Sequence, residues 1–149
     1  NSFVFQRVQG ARSGKQNSAE GSRASGTSKK FEWNLVGVAR ASQEELLLDY
    51  QDFLRQRDLP LWGKDHPESQ QIRRLAYASH RSYKTYRTCI EGSSPEVAAN
   101  ALICLIHQTN FLLDQQLRQL EKQFLGQGGF TEKLYHARQN ARKQSCKKP

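Results

Sequence analysis

Cys104 and His107 are the two residues whose types and spacing come closest to suggesting chemistry. Three positions apart on a helix, a thiolate and an imidazole lie on one face and could both bind a metal ion. Metal sites inside helical bundles draw ligands from facing helices, and the chain has no second His, Cys or Glu pair of the right kind. The sequence therefore predicts no metal site and no other cofactor.

The same segment carries further polar residues that would need partners if a bundle buried them. Buried polar groups in folded proteins are nearly always hydrogen-bonded, to neighbouring helices or to loops. Such bonds could also fix how the helices align along one another. We predict a buried polar network that sets this alignment, formed by Asn100, His107, Gln108, Asn110 and Asp114.

Nucleophilic catalysis has no support in the sequence. The serines fall in predicted loops and helix caps, and no Ser-His-Asp or Cys-His spacing is typical of a catalytic arrangement. We expect a protein without enzymatic activity, without catalytic residues and without a small-molecule substrate.

Basic residues concentrate at the two ends of the chain, which has a formal net charge of +9. Residues 1–30 and residues 131–149 each carry six Lys or Arg against one acid, whereas residues 31–130 carry eleven against twelve. Two interpretations stay open, because such ends could neutralise the phosphates of a nucleic acid or could simply form a basic surface that favours solubility.

Residues 81–87, RSYKTYR, interleave aromatic and basic side chains, which could stack on bases and contact phosphates. On a helix, however, Tyr83, Tyr86 and Ile90 share one face, and the charged residues share another. The favoured interpretation is therefore an ordinary amphipathic helix that packs its aromatic face on the core and exposes its charged face to solvent. The residues that could bind nucleic acid are then Arg12, Lys15, Arg23, Lys29, Lys30, Arg81, Lys84, Arg87, Arg138, Arg142 and Lys143.

Two long helices are predicted at about residues 28–57 and 94–125, and the second must position Cys104, His107 and the predicted polar network. Apolar residues three and four apart predict the first helix, and the second is apolar almost all round in its first half. Shorter helices are expected between and after them, beginning near Asp65, Ser82 and Thr131, whereas residues 3–20 show no sustained apolar period. The fold class is all-α. We expect these apolar residues to pack together: Leu35, Val38, Leu46, Tyr50 and Phe53 against Leu102, Leu105, Leu112 and Leu120.

No apolar run is long enough for a transmembrane helix, and the first ten residues lack the apolar core of a signal peptide. The three cysteines lie in unlike settings and are odd in number, which indicates reduced thiols rather than a disulfide framework. We expect a cytoplasmic protein that has no membrane partner.

Several motifs resemble a known family. Residues 11–17, 20–21, 24–29, 38–42 and 44–46 look like the second and third helices of the bacterial four-helix bundle family, which includes the proteins encoded in intervening sequences of ribosomal RNA genes. Residues 50–62, 81–87 and 99–130 resemble the C-terminal suffix domain that a subset of those proteins carries. The family's first helix has no counterpart, residues 1–9 do not match, and Ser18 replaces an expected apolar residue.

This resemblance implies an incomplete antiparallel helical bundle joined to a helical suffix region. Residues 1–57 would be a partial bundle with a truncated N-terminus, residues 58–142 the suffix region packed on it, and residues 143–149 a basic tail. The family is bacterial, self-associating and without a known enzymatic activity. A similar bundle, the accessory protein of diversity-generating retroelements, works with nucleic acid, which is an analogy of fold only. We expect a non-enzymatic scaffold or oligomerisation protein whose partner is a second copy or another helix, and alternatively a nucleic-acid-binding module.

Overall fold

The computed structural model describes residues 2–24, 29–79, 82–127 and 130–145, and within these residues every regular element is an α-helix. The prediction of an all-α fold is thus confirmed. No helix in the described ranges combines the length and apolarity that crossing a membrane would need. The six helices, in chain order, are α1 (Ser2–Ala24), α2 (Lys29–Gln56), α3 (Pro67–Leu75), α4 (Tyr83–Ile90), α5 (Pro95–Gln127) and α6 (Phe130–Ser145).

The two long helices α2 and α5 lie within two residues of their predicted bounds. Pro60 cannot continue a helix, and just before it the chain turns through Asp58, whose φ of 52° is left-handed. The Leu59 N–H then bonds back to the Leu54 carbonyl at 3.0 Å. Ser94 begins α5, because its hydroxyl accepts a hydrogen bond from the Val97 N–H at 3.3 Å.

Helix α1 is the element that the apolar pattern did not indicate. It packs along α2 through small residues: a Cβ added at Gly21 would lie 3.4 Å from the Cβ of Leu35 and from a methyl group of Val36. The hydroxyls of Ser13 and Ser42 lie 3.1 Å apart at the same interface. Small residues let the two backbones approach closely, so this pair needs few large apolar side chains.

Helix α2 packs on α1 with one side and on α5 with another. The core of large buried side chains lies between α2 and α5. Two clusters of buried side chains fill the α2–α5 interface, one toward each end. The first cluster consists of Leu46, Leu47, Leu54, Ala99, Ile103 and Ile106. The second consists of Val36, Ala39, Leu113 and Leu120.

The expected packing was wrong at two residues. Val38 is 48% exposed and Leu112 is 62% exposed, whereas the core takes Ala39 and Leu113 instead. Leu102 and Leu105 are only half-buried. The first half of α5 is apolar almost all round, so the sequence pattern there does not indicate which side meets α2.

The short helices α3 and α4 pack on α5. His66 is the N-cap of α3, one residue after the predicted start near Asp65. At α4 the Thr85 hydroxyl accepts a hydrogen bond from the Ser82 N–H at 3.0 Å, which confirms Ser82 as the start. Helix α6 begins at Phe130 instead of after Thr131.

Candidate functional site

Asn100 ties the loop after α2 to α5. Its side chain is 1% exposed, and its Oδ1 accepts a hydrogen bond from the Trp62 N–H at 2.9 Å. Its Nδ2 donates to the carbonyls of Pro60 at 2.9 Å and Glu96 at 3.0 Å. The Trp62 indole N–H also donates to the Glu96 carboxylate at 2.9 Å. The Asn100 side chain therefore forms hydrogen bonds with both the loop and α5, and its role is structural.

A second polar group lies halfway along the α2–α5 interface. Arg40 donates to Asp114 at 3.0 Å across the interface and to Glu44 at 2.5 Å on its own helix. These hydrogen bonds, that to Glu44 most of all, raise the pKa of Arg40 despite its partial burial. Asn110 donates to Glu44 at 3.5 Å, and its buried Oδ1 has no partner among the described residues.

The predicted network of five residues is therefore two separate groups. Asn100 and Asn110 are buried, but they bond to different partners three helical turns apart. Asp114 is only half-buried and pairs with Arg40, and Gln108 is also half-buried. His107 is exposed, so its inclusion in a buried network was wrong. Because most of this half of α5 is apolar, the sequence pattern does not indicate which side of the helix its neighbours cover.

Cys104 and His107 do not form a common site. Cys104 is half-buried against α3, where burial raises the pKa of its thiol while the Ser69 hydroxyl and Arg73 act in the opposite direction. His107 is exposed on α5. Across the part of the chain that the structure describes, no three His, Cys, Asp or Glu side chains are grouped so that they could hold a metal ion.

The aromatic and basic segment of α4 faces solvent more than expected. Tyr83 is exposed, which corrects its assignment to a core face, while Tyr86 and Ile90 are half-buried. The Tyr83 hydroxyl donates to the Glu91 carboxylate, and Arg87 donates to the same group at 2.5 Å. These two bonds lower the pKa of Glu91, and the bond to Glu91 raises the pKa of Tyr83. Arg81 lies outside the described residues.

Most of the candidate phosphate-binding residues stand exposed without an acidic partner. The ion pairs between described side chains involve Lys29, Arg40, Arg55 and Arg87. None of the described basic side chains of α1 and α6 takes part in these pairs, whereas α2 and α4 supply all four paired residues. The exposed basic residues outside those pairs include Arg12, Lys15, Arg23, Lys30, Lys84, Arg138, Arg142 and Lys143.

An apolar groove, which we call the Trp33 groove, lies between the start of α2 and the end of α5. Trp33 and Phe124 are partly exposed, Leu125 is 77% exposed, and the groove encloses about 410 Å³. Lys30 and Glu121 stand on its rims, with Asn34 beside them. Sequence reasoning missed this groove because Trp33 falls off the apolar stripe of α2. The signal that could have indicated the groove was Trp33 itself, a large aromatic residue on the polar side of α2.

Comparison of the chain with protein-family models, with curated proteins and with solved structures gives no match. The resemblance to the four-helix bundle family therefore stays a prediction.

Proposed function

We propose that this protein is a non-enzymatic helical scaffold that assembles through its helix faces, with a second copy or a partner helix as its ligand. The observation that carries the proposal is the Trp33 groove. Trp33, Phe124 and Leu125 bring exposed apolar side chains together in one groove, and clustered apolar surface at solvent can mark a binding site. The resemblance of the sequence to a self-associating bacterial family supports the same conclusion and favours a cytoplasmic setting.

The groove contributes a definite but limited free energy. Full burial of one large apolar side chain is favourable by about 1.5–3 kcal/mol, so covering the exposed parts of Trp33, Phe124 and Leu125 contributes about 2.5–5 kcal/mol. That corresponds to a factor of roughly 70 to several thousand in an association constant. Because association itself costs about 4 kcal/mol or more, one groove contact cannot hold two molecules together. A stable assembly through this surface needs a second contact.

The assembly state of two substituted proteins tests the proposal. We expect Trp33→Ser to reduce the molar mass measured by light scattering at a given concentration, because the apolar floor of the groove is lost. Tyr77→Ser is the matched control, since Tyr77 is 90% exposed and lies in the turn after α3, away from the groove. Equal masses for the two variants and the unaltered chain would count against the proposal.

Nucleic-acid binding is a second candidate function, favoured by the unneutralised charge of α1 and α6. Exposed Arg and Lys residues without acidic partners are available to displace counterions from a phosphate backbone. Such binding would be independent of base sequence, because nothing in these surfaces is built to read base edges. Helix α4 is a weaker candidate, since Arg87 is already paired with Glu91.

Gel-shift affinity as a function of salt tests this candidate. Replacing Arg138, Arg142 and Lys143 together by Gln should lower the slope of log affinity against log salt by roughly 2–3, at about 0.9 per phosphate contact. The control is the same charge loss from exposed residues of the body, made at Lys64, Arg74 and Lys122. Binding that ignores salt, or an equal loss in the control protein, would contradict the assignment.

A further inference from the structure

The rims of the Trp33 groove carry one charge of each sign. Lys30 stands on the α2 rim and Glu121 on the α5 rim, and both side chains are exposed. The ion pairs between described side chains include neither of them, so the two charges do not form an ion pair across the groove. A partner that fits this surface therefore offers an acid to Lys30 and a base to Glu121.

The floor of the groove requires the same partner to be apolar at its centre. Trp33 and Phe124 are partly exposed, and Leu125 projects furthest into solvent. Covering such side chains with another apolar surface is favourable, because it removes both surfaces from water. The Trp33 groove itself is a surface of this kind, since it is apolar in the middle and carries a base and an acid on opposite sides.

Two copies could pair groove to groove in two symmetric ways, and charge decides between them. With the two-fold axis along the groove, the α2 rim of each copy faces the α5 rim of the other, so Lys30 meets Glu121 twice. With the axis across the groove, each rim faces its own counterpart, so Lys30 meets Lys30 and Glu121 meets Glu121. Like charges that face each other oppose association, which favours the axis along the groove.

Pairing of two grooves also supplies the contact that a single groove lacks. A two-fold dimer places both copies of Trp33, Phe124 and Leu125 in one interface, so a single association event covers two apolar floors. Each α2 then lies antiparallel to the α5 of the other copy, because the start of α2 lies beside the end of α5 within one chain. The second contact that a stable assembly needs is thus the groove of the other copy.

We propose that two copies of this chain pair through their Trp33 grooves about a two-fold axis along the groove, with Lys30 of each copy beside Glu121 of the other. The inference rests on the proposed assembly function and names the partner, the surface and the alignment through which it acts. The ligand of each groove is the groove of a second copy.

Charge reversal on each rim tests this pairing. Lys30→Glu gives every dimer two acid–acid contacts and Glu121→Lys gives it two base–base contacts, so each should raise the dimer dissociation constant at least about 5-fold. The matched controls, Lys64→Glu and Glu45→Lys, reverse the same charges at exposed positions outside the groove and should leave the constant nearly unchanged. Circular dichroism of all four proteins checks that they remain helical.

Mixing the two reversed proteins is the decisive step. In a heterodimer, the carboxylate introduced by Lys30→Glu faces the ammonium introduced by Glu121→Lys, and the remaining Glu121 faces the remaining Lys30. Both rim contacts are then attractive again. Sedimentation velocity should therefore show a dimer in the mixture at concentrations where each protein alone is monomeric. A chain that carries both reversals should dimerise on its own, because its rims still have opposite charges.

The outcomes separate this inference from the proposed function. An unaltered chain that assembles, with assembly unaffected by one or both reversals, overturns the groove pairing and leaves the assembly function standing. Sensitivity to both reversals without recovery on mixing also overturns the pairing, because a contact of Lys30 with Glu121 inside one chain would give that result. An unaltered chain that stays monomeric at every concentration overturns both proposals.

Discussion

Replacement of Asn100 by Ala tests the junction between α2 and α5 directly. The side chain is 1% exposed and makes three hydrogen bonds: one accepted from the Trp62 N–H, and two donated to the carbonyls of Pro60 and Glu96. The Glu96 carbonyl belongs to α5 itself, whereas the other two groups belong to the loop. The substitution therefore releases the loop from the helix while leaving every apolar contact of the core in place.

The expected loss follows from these three bonds. A hydrogen bond within a protein stabilises it by about 1 kcal/mol net, so Asn100→Ala should lower the free energy of unfolding by about 3 kcal/mol. For a chain of this size that corresponds to a drop in Tm of roughly 6–12 °C. Gln115→Ala at an exposed position of α5 is the control and should change stability by less than about 0.5 kcal/mol.

Asn100→Asp adds a pH dependence to the same test. The introduced carboxylate keeps the acceptor for the Trp62 N–H but replaces the donor and faces two carbonyl oxygens in a buried site. Burial and the carbonyl oxygens raise the pKa of that carboxyl in the folded state, which favours its neutral form. The stability deficit of the variant should therefore shrink as the pH falls from 7 toward 4.

Urea denaturation followed by far-ultraviolet circular dichroism measures all three variants. The reasoning would be refuted by a loss below about 1 kcal/mol for Asn100→Ala, which would mean that water replaces the amide without cost. A deficit for Asn100→Asp that grows on acidification would contradict the assigned roles of the two amide atoms.

Two further predictions concern glycine positions and the exposed end of α4. Gly37→Ala should raise the free energy of unfolding by about 0.5–1 kcal/mol, because no atom lies within 4 Å of the added Cβ. Gly21→Leu should lower the free energy of unfolding, because the larger side chain forces α1 away from α2. Thermal denaturation measures both variants, and equal effects of the two substitutions would contradict the close packing of α1 on α2. The pKa of Glu91 is lowered chiefly by the Tyr83 hydroxyl, so its contribution to the folded state is present above the usual glutamate pKa and is lost as the pH falls through the lowered value. In Tyr83→Phe the titration midpoint of Glu91, followed by nuclear magnetic resonance, should rise toward the usual value, and an unchanged midpoint would exclude the hydrogen bond.

The two long helices could be predicted because their signals are local. In α2 large apolar residues recur every three or four positions, and Pro60 and Ser94 mark an end and a start that the structure confirms. Helix α1 gives no such signal. Its contact with α2 is made by Gly14, Gly21 and Ser13, whose small size permits close packing but leaves no apolar period to detect.

The candidate site was harder to predict than the fold, because exposure depends on which neighbours cover each face. His107 and Asn110 are three residues apart on α5, yet the first is exposed and the second is 5% exposed. Nothing local distinguishes them, since both belong to the polar run of residues 107–110, which has apolar residues on either side. The Trp33 groove depends on α2 meeting α5 in one alignment, and an apolar period along either helix alone does not specify that alignment.

The molar mass of the unaltered full chain, measured by sedimentation equilibrium across a concentration series, tests the central claim most directly. One chain has a mass of 17.1 kDa. A scaffold that assembles through its helices should show a mass that rises with concentration above the single-chain value. A mass that stays at 17.1 kDa over the whole series would contradict assembly as the function of this protein.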